Sequence, residues 1–163
     1  TMKMRVIGAM TGLCICLSAM AWSYDEQMAE SYARLFSGVD GAGAGKALNF
    51  LSVERFTDGL KQGEAYVAID VRTSAETRLF RLSAPNNLAI PANQLFTPEK
   101  LGLIPTDMPV VIICKSGARA TAVGTALRHI GFDNVYILKG GFQALAGYYG
   151  PKQAYGQPAE PEK

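Results

Sequence analysis

The sequence is sparing with the side chains most often used for polar chemistry. Its 163 residues include one histidine, one tryptophan and three cysteines. Two of the cysteines, Cys14 and Cys16, sit in the apolar N-terminal run, so Cys114 is the one thiol in the rest of the chain. That scarcity excludes a zinc site of the usual four-ligand kind and a disulfide staple beyond the first 21 residues. It also excludes a cysteine–histidine dyad. His129 lies ten residues past Arg119 on a predicted helix, about 15 Å along the axis, out of hydrogen-bond reach of the thiol. It is expected instead in the helix's last turn, where it suits the dipole.

Charge of one sign is also lacking. Without Lys3 and Arg5, 14 basic residues face 14 acidic ones, which argues against a nucleic-acid or anionic-membrane surface. The apolar run from Val6 to Ala21 is shorter than the roughly 20 residues that span a bilayer. Its basic start, apolar centre and Ala19-Met20-Ala21 end read as a signal peptide (1–21) cut before Trp22. No lipobox-like small residue precedes Cys14 or Cys16. A periplasmic protein without stable membrane association is expected. A lone thiol in such an oxidising compartment is a liability unless it is used.

With 48% hydrophobic and 18% charged residues, the chain is of ordinary globular composition and long enough for one well-filled domain. Residues 24 to 37 place Tyr24, Met28, Leu35 and Phe36 on one helical face and could offer it to a protein partner. The segment 38 to 47, "GVDGAGAGKA", reads as a flexible connector, so that 22 to 48 forms an N-terminal helix and linker. Its "GAGAGK" is not a phosphate loop, because Asp40 stands where the first glycine belongs and Ala47 where Ser or Thr would hold magnesium. Ser52 is expected to cap a helix from Val53 to about Gln62, ended by Gly63. Strands are expected at 65–71, 108–114 and 134–138. A helical turn follows the first of them, then an irregular stretch with two prolines. Thr97 and Pro98 open another short helix. The helix 119–130 carries an apolar stripe of Val123, Ala126, Leu127 and Ile130, and "GGFQALAGYYG" gives a last short helix. The tail 150–163 holds three prolines, buries little and is expected to be disordered. Strands alternating with helices predict an α/β domain over 49–149, a central parallel sheet with helices on both faces.

The chemistry is concentrated in "VVIICKSGARATA" (110–122). In parallel sheets, ligands bind beyond the carboxyl ends of the strands, where loops enter helices. Cys114 stands at that edge. Lys115, Ser116, Gly117 and Ala118 can curl into an anion-binding nest ahead of a helix N-terminus. Lys115 and Arg119 add two cations. Helix dipole and cations together are expected to lower the thiol pKa and to hold a thiolate where an anion can dock.

The sequence Cys114-Lys115-Ser116-Gly117-Ala118-Arg119 resembles the six-residue active loop of the rhodanese family of sulfurtransferases. Three further stretches, in the same order and spacing, are similar to that family: "LSVERFTDGLKQGEAYVAIDVR" with its D-V-R strand end, "AIP" at 89–91, and "GFDNVYILKGGFQAL". The likeness spans Asn49 to Gly147. It implies a single rhodanese-like domain in which Cys114 is the catalytic nucleophile and becomes a persulfide. Lys115, Ser116, Gly117, Ala118 and Arg119 would then bind the donor, thiosulfate being favoured by the lysine. Asp70 and Arg72 would brace the loop, and Gly140 and Gly141 would permit a tight turn. A thiol, cyanide or a protein would accept the sulfur, and neither metal nor organic cofactor is implied. Two features depart from the family. The G-H-I-x-G-A segment that borders its pocket is replaced by "FRLSAPNNLA", and the tryptophan often found after the double glycine is absent. The related phosphatases of Cdc25 type use five residues between cysteine and arginine; the four here make a ring suited to a sulfur atom, which argues against phosphatase or arsenate reductase activity. The remaining alternative is a non-catalytic partner-binding module or a sulfur or selenium carrier, though modules of the binding kind typically lack the cysteine.

Overall fold

Period-two alternation sorts the side chains of each apolar run onto the two faces of a sheet. The computed structural model describes residues 24 to 84 and 86 to 150. Among these, five strands form one sheet: β1 (Phe50–Leu51), β2 (Val67–Asp70), β3 (Asn87–Ala89), β4 (Val110–Ile113) and β5 (Val135–Leu138). Their order is β1-β5-β4-β2-β3 and every pairing is parallel. The register sets Ile69 beside Ile112 and Ile112 beside Ile137 across the centre. The inner strands read as near-continuous apolar runs because the sheet is covered on both sides.

Among the described residues seven α-helices provide that cover or flank it: α1 (Glu26–Phe36), α2 (Ala44–Ala47), α3 (Val53–Lys61), α4 (Ser74–Leu79), α5 (Pro98–Leu101), α6 (Ala118–His129) and α7 (Gly141–Tyr148). On one face Ile69, Val71, Val110, Ile112, Cys114 and Ile137 pack with Ala120, Val123 and Leu127 of α6. On the other, Ala68, Val111, Ile113 and Leu138 meet Val53 and Phe56 of α3 and Phe142 and Leu145 of α7. Cys114 therefore continues the alternation of β4 onto the α6 side.

Local signals account for most boundaries. The Ser52 hydroxyl accepts the Arg55 N–H and starts α3, which ends one residue before the expected Gln62, followed by Gly63 at φ +78°. Thr97 caps α5, with Pro98 as its first residue. The buried stripe of α6 differs from expectation. It comprises Ala120, Val123, Gly124 and Leu127, while Ile130 caps the helix and is 52% exposed. Gly124 draws α6 onto β5, since a Cβ there would lie 2.6 Å from Ile137 Cγ1.

Two expectations are corrected. The connector 38–47 is not unstructured: a 3-10 turn (Gly41–Gly43) runs into α2. Strands β1 and β3 were not expected; they are two and three residues long and form the sheet's two edges. α1 buries none of its residues. It meets α6 where the Tyr32 ring stacks on His129 at 4.1 Å and Ser31 Oγ lies 3.3 Å from Nε2 of His129, in the last turn of α6. Among the described residues no helix is long and apolar enough to cross a membrane. The expected signal peptide (1–21) and the tail past residue 150 lie outside the described residues.

Candidate active site

A helix begins with backbone N–H groups that have no partner inside it. At α6 the N-cap residue is Gly117, which has no side chain to offer. The sulfur of Cys114 takes that place: the N–H groups of Gly117 and Ala120 donate to Sγ at 3.2 and 3.4 Å. Gly117 can close the loop because it adopts φ +98°, a region that other residues enter at a cost. Cys114 is 1% exposed. Gly117 is also buried, Arg119 is partly buried, and Lys115, Ser116 and Ala118 face solvent.

The outer wall of the loop comes from the segment after β5. Gly140 and Gly141 both have positive φ. A Cβ on Gly141 would lie 2.1 Å from the carbonyl oxygen of Cys114. The double glycine thus does more than turn the chain. It lets α7 approach until the Phe142 and Gln143 N–H groups donate to the carbonyls of Cys114 and Lys115 at 2.9 and 3.0 Å. The free donors at the start of α7 and the free acceptors of the loop satisfy one another.

Asp70 and Arg72 form a buried pair at the end of β2. Arg72 Nη2 donates to Asp70 Oδ2 at 2.8 Å and Nε lies 3.0 Å from Oδ1. The same Nη2 donates to the Phe80 carbonyl at 2.8 Å. The guanidinium lies 3.7 Å from the centre of the Phe142 ring and 4.6 Å from that of Phe80. These contacts tie β2, the chain leaving α4 and the start of α7 together behind the cysteine loop. They are the contacts of a brace.

Arg119 is not a free cation. Its Nη1 and Nη2 donate to Glu76 Oε2 and Oε1 at 2.8 and 2.7 Å, the two-pronged arrangement that fixes a guanidinium plane. Glu76 in turn belongs to the capping box of α4, accepting from the Thr73 N–H while Thr73 caps the Glu76 N–H. The Arg119 guanidinium and the Thr73 donors hold the Glu76 carboxyl well below its usual range. Arg119 is raised, chiefly by Glu76, with a smaller contribution from Cys114. Sequence reasoning missed Glu76. The T-x-x-E pattern at 73–76 marks a helix start, but nothing local couples it to an arginine 43 residues away.

The Rhodanese-like domain family matches residues 52–147, a span that holds the cysteine loop, its Asp70–Arg72 brace, Glu76 and the double glycine. A curated protein named Sulfurtransferase, from Allochromatium vinosum, is 32% identical over 99 residues, covering 61% of this chain and 89% of its own length. The crystal structure of a rhodanese-related protein from Thermoplasma volcanium has a TM-score of 0.54 at 25% identity, covering 63% of this chain and 95% of that one. A human single-domain sulfurtransferase shares the fold, with a TM-score of 0.53, 19% identity and coverage of 63% and 98%. With sequence, fold and loop in agreement, the chain belongs to the rhodanese-like family in its single-domain form.

Proposed function

We propose that this protein is a thiosulfate sulfurtransferase that works through a persulfide on Cys114. In the first half-reaction the Cys114 thiolate attacks the outer sulfur of thiosulfate. A new S–S bond forms, the bond to the sulfonate sulfur breaks, and sulfite leaves with its electron pair. In the second half, cyanide or an acceptor thiolate attacks the outer sulfur, and the Cys114 thiolate is regenerated. The cycle is nucleophilic covalent catalysis with ping-pong kinetics, and it requires neither metal nor organic cofactor.

The observation that carries this reading is the pair of N–H groups aimed at Cys114 Sγ. Donors fixed in that way favour negative charge on the sulfur without reorganisation. Lys115, exposed on the loop, would receive the sulfonate oxygens. Arg119, held in plane by Glu76, adds positive charge beside the sulfur. The general chemistry is also that named for the curated relative, a sulfurtransferase. Together with the N-terminal segment's signal-peptide pattern, the reading is of an exported, periplasmic enzyme.

Intact mass of wild type and Cys114→Ser after incubation with thiosulfate tests it. The expected result is a gain of one sulfur on the wild type alone, lost on addition of cyanide as thiocyanate appears. No gain with any sulfane donor would replace this reading with a non-catalytic partner-binding module.

A further inference from the structure

Helix α4 is fixed to the active loop at both ends. Glu76 in its first turn grips Arg119. At its other end, Phe80 packs edge-on against Phe142 with ring centres 5.4 Å apart, and the Phe142 N–H is bonded to the Cys114 carbonyl. The residues between these anchors therefore run alongside the cysteine loop. Leu79 is 83% exposed, and Phe80 remains 58% exposed although one side of its ring rests on Phe142 and Arg72. Arg78 and Arg81 flank them, and Lys115 stands on the loop itself; all three are exposed. None of these cations makes an ion pair among the described residues. An apolar centre within a cationic border, beside a nucleophile, is more than small anions require.

We infer that the rim formed by Arg78, Leu79, Phe80 and Arg81 is a docking surface for an acidic protein that brings its own acceptor thiol to the Cys114 persulfide. Charge complementarity selects the partner: unpaired arginines beside the loop attract acidic surfaces and repel basic ones. Burial of the sulfur selects a partner that reaches inward. At 1% exposure, Cys114 can pass sulfur to a protein thiol only when that protein is held closely over the loop. An anionic membrane would match the same charges but supplies no acceptor thiol. The inference rests on the persulfide reading above and names the class of acceptor for that site.

The test uses full-length protein as wild type, Arg78→Glu/Arg81→Glu and Leu79→Ser, each loaded with thiosulfate. The probes are two short synthetic peptides, each with one cysteine beside leucine, flanked by glutamates in one and by lysines in the other. The acidic peptide is expected to take sulfur about tenfold faster than the basic one from the wild type, with the preference lost in about 0.5 M salt. The double variant is expected to lose the preference and Leu79→Ser to weaken transfer to the acidic peptide. Thiocyanate formation from thiosulfate and cyanide should match the wild type in both variants. Equal rates for the two peptides, or a preference that survives Arg78→Glu/Arg81→Glu, would overturn the inference. So would wild-type binding to phosphatidylglycerol vesicles without a peptide preference. Cysteine-to-serine peptides followed by fluorescence anisotropy read docking without chemistry. A protein that binds the acidic peptide but never loads sulfur would refute the persulfide step and leave the docking surface standing.

Discussion

Glu76 and Arg119 face each other through two hydrogen bonds of 2.7 and 2.8 Å, although one belongs to a helix start after β2 and the other to the loop after β4. Their bond sets the angle of the one guanidinium in the cysteine loop. Glu76→Gln keeps the shape and removes the charge. Turnover with thiosulfate is expected to fall about tenfold, as a charged hydrogen bond becomes a neutral one. The pair is about a third exposed, so the stability lost is about 1 kcal/mol, or a melting point lower by roughly 4 °C.

The same pair has a pH signature. Folding holds the Glu76 carboxyl below its ordinary value of 4.5, so the unfolded chain takes up the proton first as pH falls. The stabilisation is complete above the unfolded pKa and is lost as pH drops through the folded one. The difference in melting temperature between wild type and Glu76→Gln should therefore be constant near neutrality and narrow below about pH 4.5. A gap that widens on acidification would contradict the assignment.

Gly141→Ala should be far more harmful than its size suggests. The new methyl would sit 2.1 Å from the Cys114 carbonyl oxygen, and backbone cannot move aside as a side chain can. A loss of about 4 kcal/mol is expected, in the exceptional range for one substitution. Gly131→Ala is the control. Its φ is +106° with nothing within 4 Å, so it carries backbone strain alone, about 1–2 kcal/mol. Urea denaturation of the two variants separates contact from strain.

Asp70→Ala leaves the Arg72 charge buried, with Arg72 2% exposed. Removing one member of such a pair costs about 3–5 kcal/mol, whereas removing both charges costs much less. Asp70→Ala/Arg72→Met should therefore be more stable than Asp70→Ala alone in urea titrations. If the double variant is the less stable, packing of the guanidinium on Phe80 and Phe142 outweighs its charge.

Lys115→Ala should act on binding. The side chain is exposed on the loop, and its loss is expected to raise KM for thiosulfate about fivefold with little change in kcat. The difference should shrink at high salt. Steady-state kinetics at two ionic strengths check both statements.

The inner sheet and the thiol's place at its edge were legible because long apolar runs and helix caps are local signals. Val110 to Ile113 can hardly be anything but a buried strand, and Ser52, Thr97 and Gly63 announce their helices' ends. What escaped is what depends on distant chain. Phe50–Leu51 is a strand only because β5 lies beside it, with Phe50 opposite Ile137. Asn87–Ala89 is one only because it pairs with β2. The glycines of 41–45 hid a helical turn, since composition there argues for freedom and the fold overrides it. The double glycine was read as a turn because its real constraint, the carbonyl of Cys114, is 27 residues away in sequence.

That constraint also bears on when the protein becomes competent. The cysteine loop is closed by the N–H groups of Phe142 and Gln143, near the end of the domain, so its shape waits for chain made last. During the proposed export, with the N-terminus leading, the thiol reaches an oxidising compartment before the residues that enclose it. For that interval it is an unprotected side chain, open to thiol–disulfide exchange. With the proposed leader removed, no second cysteine would remain in the sequence to capture it within the same molecule. A chain left with one thiol cannot lock itself into a wrong loop. On the proposed export, the scarcity of cysteine that makes Cys114 conspicuous would also keep its folding intermediates free of internal cross-links.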